Sequence, residues 1–294
     1  MTGWVALAED RRPLAAAVGP FPHRPFLETW WRHRGAGEPA IVEHGDSVAA
    51  VVTHEGVMSY AGDTDVTDYH TPLGPDPGAA VVAAVSAAKR GTSLRFDSMP
   101  LEVARPVLAA LTGAGIEAVL RRHEVTMVLP LNAAEPLAVL DGKERHEMRR
   151  KTRRFEETYG EPTVVTGAEG FASFVKLHRL AEGSKGAFMS DATAAFFHDL
   201  LEVPGAIVDV LRGAQGDALA AAFGFVDADT YYLYNSSFDP SAAPVSPGIV
   251  ILKILMERES AAGRRRFDLL KGTETYKRRL GAHPRALYLI EGVV

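Results

Sequence analysis

Runs of apolar residues, broken by glycine, proline and polar turns, predict the elements of this 294-residue chain. Pro25–Arg34 reads as a short helix carrying Trp30 and Trp31. Ala40–Glu43 and Val48–His54 read as strands joined by the turn His44-Gly45-Asp46, where glycine supplies a positive φ. Gly74 to Gly78 is a Pro/Gly loop, and the Ala/Val-rich stretch Ala79–Arg90 reads as a buried helix. Leu94–Asp97 is a short strand, Leu101–Thr112 a helix stopped by Gly113 and Gly115, and Glu124–Leu129 a further strand. A basic helix dominates Pro136–Tyr159. Beyond Gly160 the pattern predicts a strand at Thr163–Val165, helices at Ala168–Ala181 and Asp191–Leu201, and strands at Ala206–Leu211, Ala218–Val226 and Tyr231–Ser236. A helix at Pro247–Ala262 and strands at Arg266–Leu270 and Ala286–Ile290 complete it. Both halves mix hairpins with covering helices, which implies an α+β (mixed α/β) fold.

Composition narrows this little further. Hydrophobic residues make up 47% and charged residues 23%, as in ordinary globular chains. Cysteine is absent, which excludes disulfides, thiolate nucleophiles and Cys-ligated metal centres and fits a cytoplasmic setting. The net charge of −5 is unevenly placed: residues 1–140 carry 11 Lys/Arg against 16 Asp/Glu, and residues 141–294 carry 21 of each. That asymmetry points to two domains, divided here as 1–138 and 139–294. At the N-terminus Glu9-Asp10 precedes Arg11-Arg12, the reverse of a signal peptide, and no apolar run approaches the ~18–20 residues that span a bilayer.

Four segments carry candidate chemistry. In Ser246-Pro247-Gly248, Ser246 suits a helix N-cap, Pro247 the first helical position, and Gly248 the close approach of another group to the backbone. Such a start offers free N–H groups to an anion, though a capped buried helix explains the same residues. In Asp268-Leu269-Leu270-Lys271-Gly272, followed by Tyr276-Lys277, Asp268 sits in an apolar strand and calls for a cation or ligand. Lys271 falls at the strand end, where open sheets place ligand contacts. The helix around Glu147–Arg154 buries only the stripe Met148, Thr152, Phe155 and Tyr159, leaving Arg149 and Arg150 on a face that is either solvated or a phosphate clamp. In Asp63–His70, Asp68 and His70 allow an acid/base pair, but the segment taken by itself reads first as an Asx-rich loop; the spacing is not that of a calcium loop. No P-loop, no Gly-x-Ser-x-Gly and no Gly-x-Gly-x-x-Gly is present.

Taken in order, these pieces resemble a known family. Pro25-Phe26-Leu27 to Trp31, Asp68-Tyr69-His70, Glu147–Arg154, Tyr232-x-Tyr234 with Phe238-Asp239-Pro240, Ser246-Pro247-Gly248, and Asp268–Gly272 with Tyr276-Lys277 are similar to the cellulose-biosynthesis-type acetyltransferases (the CelD/BcsL group) of the GNAT superfamily. That group is related to the Fem-type aminoacyl transferases. The resemblance implies tandem GNAT-like halves, each a mixed sheet covered by helices, with the donor and active site in the second. It implies acyl transfer from acetyl-CoA or another acyl-CoA, or alternatively from aminoacyl-tRNA, directly to an amine or hydroxyl, without a metal. The acceptor is expected to be a small molecule or a cell-envelope or natural-product group. Ser246, Gly248, Lys271 and Lys277 are then expected to hold the donor. Arg149, Arg150, Asp68 and His70 are expected to hold substrate, and Tyr234, Asp239 and Tyr276 to orient groups or handle protons. The usual pyrophosphate loop, Arg/Gln-x-x-Gly-x-Gly/Ala, is replaced by Ser241–Gly248 with one glycine. A second expectation competes: a non-catalytic RNA- or nucleotide-sugar-binding module that keeps a GNAT-like fold.

Overall fold

The structure, a computed structural model, describes residues 3–7 and 16–294. The Glu9-Asp10 and Arg11-Arg12 pairs therefore lie outside the described residues. Contacts divide the chain into one unit of residues 1–126 with Arg285–Val294, and a second of residues 127–284.

The first unit opens with α1 (Arg24–Arg34), whose Pro25 sits in the first turn and whose Arg32, His33 and Arg34 complement the dipole at the last. An antiparallel meander follows: β1 (Glu38–His44), β2 (Ser47–His54) and β3 (Val57–Tyr60). The short β3 is not evident from the sequence pattern. It is folded back by Glu55 and Gly56, both at positive φ. The Asp76 side chain caps α2 (Pro77–Ser86) by accepting from the Ala79 N–H at 3.0 Å. Then come β4 (Ser93–Pro100), α3 (Leu101–Gly113) and β5 (Glu117–Pro130), whose residues from Met127 belong to the second unit. The C-terminal strand, labelled β11 by chain order (His283–Val293), enters between β4 and β5, so the strands run β1-β2-β3-β4-β11-β5. β5 and β11 both exceed their predicted spans, because charged residues such as Arg121, Arg122 and Glu291 interrupt the apolar runs while the backbone stays extended. The core packs Val81 and Val85 of α2 and Val107 and Leu111 of α3 over Val51, Met58, Phe96 and Ile290.

In the second unit α4 (Gly142–Tyr159) is capped by Asp141 and buries Met148 and Phe155. β6 (Thr163–Thr166) precedes α5 (Phe171–Leu180), α6 (Ser184–Phe188) and α7 (Asp191–Asp199). The five-residue α6 is too short to leave an apolar period. An antiparallel run β7 (Ala206–Arg212), β8 (Ala218–Val226), β9 (Thr230–Phe238) then leads through α8 (Pro247–Ala261) to β10 (Arg266–Lys271) and α9 (Thr275–Arg279). The strand order is β10-β9-β8-β7-β6. Fully buried Asp209 accepts from both terminal nitrogens of Arg258 and from the Tyr231 hydroxyl, and Glu259 pairs with Arg258 and Arg264. This closed network fixes how α8 lies on the sheet, since removing any one partner would strand a buried charge.

The fold is thus mixed α/β, as expected. Each unit repeats one plan: an antiparallel meander, a helix, and a strand parallel to the last of the meander. The repeat reaches individual residues. Arg95-Phe96-Asp97 lies on β4 and Arg266-Phe267-Asp268 on β10. Tyr60 packs on Phe96 with ring centroids 4.8 Å apart, and Tyr231 on Phe267 at 4.7 Å. A residue at positive φ comes shortly after each aspartate, Ser98 (56°) directly and Leu270 (57°) two residues on.

Candidate functional site

In the second unit β9 and β10 pair in parallel through Thr230–Arg266, Tyr231–Phe267 and Tyr232–Asp268, and pairing stops there. Two local devices drive the strands apart. On β9 the register with β8 steps between Phe223/Asn235 and Gly224/Leu233, so Tyr234 is the extra residue of a β-bulge. On β10 the left-handed Leu270 turns the chain, its N–H donating to Asp268 Oδ1 at 2.8 Å. Beyond the last pair, the peptide groups of β9 and β10 no longer bond one another.

Several of the sequence candidates lie on the segments that follow this parting. Lys277 of α9 is buried, and its ammonium donates to the carbonyls of Leu270, Lys271 and Gly272 and pairs with Glu274 at 3.0 Å. It therefore fastens the turn after β10, with all three of its protons engaged. Lys271 itself is half-buried at the strand end. Tyr276 is half-buried as well. Burial, and then the charge of Glu274, hold its phenol above the ordinary value, which suits a proton donor and not a phenolate. The Tyr234 ring lies among Phe197, Phe223 and Phe225, stacked on Phe197 at 5.3 Å. Asp239 follows β9, with Oδ1 accepting from both the N–H and the hydroxyl of Ser241.

At the start of α8, Ser246 occupies the N-cap position but with left-handed backbone (φ 56°) and no side-chain capping bond. The expected cap is replaced by its carbonyl, which accepts from Ile249 and Val250. The group that comes close to Gly248 is the Phe238 ring: a Cβ added there would lie 3.3 Å from Phe238 Cδ1.

His178 of α5 was not apparent from the sequence, where it is one of ten scattered histidines. It is buried, Nε2–H donating to Asn235 Oδ1 at 2.6 Å, one residue past the bulge. Ser237 Oγ donates to the Leu177 carbonyl at 3.0 Å, a second tie between α5 and β9. Burial holds the imidazole below its ordinary value, assisted by the charge of Lys185 and opposed by the Asn235 bond.

Other candidates fall elsewhere. Arg149 is exposed and makes no hydrogen bond or ion pair with a described residue. Arg150 is held in a two-bond fork by Glu147 at 2.7 and 2.8 Å, and Arg153 faces Glu157, so the basic helix neutralises itself more than its sequence suggests. Asp68 and His70 lie in the first unit, and the carboxylate partner of His70 is Asp97 (Nδ1–Oδ1 2.9 Å) instead of Asp68. There β3 and β4 also pair only briefly, at Val57–Ser93 and Met58–Leu94. The chain after Tyr60 then returns along β4: the His70 N–H donates to the Ser98 carbonyl and its ring to Asp97. The first unit's equivalent opening is filled by its own loop. Within that loop Asp63 accepts from the Asp65 N–H, the expected Asx turn. Among the described residues no group of His, Asp and Glu is arranged to hold a metal ion, and no helix is long and apolar enough to cross a membrane.

Residues 142–278 match the sequence family described as Acetyltransferase (GNAT) domain. No curated protein matches the chain in sequence. Among solved structures, a conserved protein of unknown function from Bacteroides thetaiotaomicron superposes with a TM-score of 0.67 at 12% identity, covering 97% of this chain and 93% of that one. FemX does so with 0.61 at 11% (99% and 94%). The C-terminal DUF2156 domain assigned to a lysylphosphatidylglycerol synthetase of Agrobacterium fabrum gives 0.61 at 14% (91% and 86%). These are likenesses of fold.

Proposed function

We propose that the second unit is an acyltransferase that moves an acyl group directly from a coenzyme A thioester to an amine or hydroxyl, in the opening between β9 and β10. The observation that carries this reading is the parting of that parallel pair after Tyr232 and Asp268, within the stretch that matches a GNAT domain. An extended donor arm bearing amides fits there because it replaces the missing strand-to-strand hydrogen bonds. The start of α8 and Lys271 supply positive charge for the donor's phosphates.

The acceptor's nitrogen or oxygen attacks the thioester carbon and gives up a proton, the C–S bond breaks, and the sulfur leaves with the electron pair and takes up a proton. Backbone N–H groups at the Tyr234 bulge are placed to receive the developing oxyanion, a contact worth about 10²–10³ in rate in other enzymes. Tyr276, kept protonated, serves the leaving group. Asp239 and Lys277 act through structure, one capping the turn after β9 and the other fastening the turn after β10. This reading places the chain with the CelD/BcsL group and its use of acyl-CoA.

Because the chain has no cysteine, release of coenzyme A thiol can be followed with a thiol reagent free of protein background. One acyl-CoA is expected to bind per chain, since in the first unit, among the described residues, the loop after Tyr60 bonds to β4 where β3 has left it. Lys271→Met is expected to lower kcat/KM about tenfold or more with little change in Tm, about 1.4 kcal/mol of lost transition-state binding. A second reading, aminoacyl transfer from tRNA, is favoured by the fold shared with FemX and the lysylphosphatidylglycerol synthetase domain. Binding and discharge of aminoacyl-tRNA with no response to acyl-CoAs would replace the first reading by the second. Binding without discharge of either donor would leave a non-catalytic module.

A further inference from the structure

On the α5 side of the second unit's sheet, beyond the end of β9, lies a cavity of about 480 Å³ lined by Lys176, Arg212, Asp217 and Asp239, with Tyr159 and Ser173 among the polar groups between them. Of the candidate residues described above, only Asp239 lines it. Its charges are opposite in sign yet do not neutralise one another. Arg212 makes one hydrogen bond, from Nη1 to the Gly216 carbonyl at 2.6 Å, and no ion pair with a described residue. Neither the Lys176 ammonium nor the Asp217 carboxylate has a partner among the described residues. The two bonds that Asp239 accepts from Ser241 both fall on Oδ1. The hydroxyls of Tyr159 and Ser173 are likewise without a described partner.

We infer that this cavity is a binding site for a small zwitterion of the amino-acid class, its carboxylate held by Arg212 and Lys176 and its ammonium by Asp239 and Asp217. The sign pattern selects the class. A simple anion would meet two carboxylates on the same walls, and a simple cation would meet a guanidinium and an ammonium. Only a ligand carrying both charges answers all four groups. The volume falls in the range of small-molecule sites and exceeds what a few waters need. Arg212 suits the carboxylate because its planar fork keeps four N–H donors beyond the one given to Gly216. The inference concerns binding and does not rest on acyl transfer.

The test is calorimetric titration of the full chain with glycine, β-alanine and 4-aminobutyrate, against acetate and methylammonium at constant ionic strength. At least one zwitterion is expected to bind about tenfold or more tightly than either single-charge probe. Arg212→Gln and Asp239→Asn are each expected to weaken it about tenfold with Tm unchanged. The asparagine keeps an oxygen for Ser241, and the glutamine keeps a donor for Gly216. Equal binding of acetate or methylammonium, zwitterion affinity untouched by both variants, or no binding of any probe would overturn the inference. Since no donor enters the assay, each of these results leaves the transferase reading standing.

Discussion

His178 shows how much of this protein's chemistry rests on where one side chain is buried. Nothing in its neighbours along the chain marks it, because its partner Asn235 is 57 residues away. Burial lowers its folded-state value below the ordinary 6.5, so below that pH the unfolded chain binds more protons than the folded one. Stability therefore falls as pH drops below about 6.5 and levels off once the folded imidazole is itself protonated. Thermal melts between pH 5 and 8 should show this slope, and His178→Asn should flatten it while keeping an amide against Asn235. An unchanged slope in the variant would assign the pH response to other groups. Residues legible in the sequence were those whose type alone restricts the backbone, such as Pro247 at a helix start. Those that read differently in the structure, Ser246 and Arg150, depend on φ and on a neighbour's rotamer, which composition does not encode.

At the scale of elements, the site depends on how a strand ends. β10 stops at Lys271 because Leu270 takes a left-handed conformation that is unfavourable for a branched side chain, and Lys277 holds the carbonyls of residues 270–272 in that arrangement. Lys277→Met should lose the clamp and leave those carbonyls without their donor, lowering stability by about 2–3 kcal/mol. Denaturant midpoints compared with Lys271→Met would check it, the latter changing little. Helices with long apolar periods, α2, α3 and α8, were plain in the sequence, as were the hairpin strands. β3 and α6 were not, being four and five residues long. The bulge at Tyr234 was also hidden, since an inserted residue inside an apolar strand leaves the hydrophobic pattern intact when both its faces are covered.

For the whole molecule, the paired Arg-Phe-Asp segments show one strand–helix–strand device used twice, left unfilled in the second unit and filled in the first. Gly62 lies at the heart of that filling: at φ 114°, a Cβ there would sit 2.7 Å from both His70 Nε2 and Thr67 Oγ1. Gly62→Ala should therefore destabilise the first unit, by about 1–3 kcal/mol. Hydrogen exchange should show faster opening of residues 61–74 while acyl-CoA affinity stays at the wild-type value. Loss of donor binding in this variant would mean that the first unit contributes to the donor site. The tandem halves were expected from the sequence, but their residue-level match was not, because three residues in register are outweighed by divergent loops.

The first unit also takes its strand β11 from the far end of the chain, where Leu287–Val293 pairs with Pro100–Ser93 of β4. On the ribosome this inverts the usual order of events. Residues 1–126 emerge first but wait, with one flank of β4 unpaired, until residues 287–293 have been made. Residues 127–284 have by then all been made. The nascent chain thus carries an open, apolar strand edge while residues 127–284 are being added, a period in which holdase chaperones act and edge-to-edge association competes with folding.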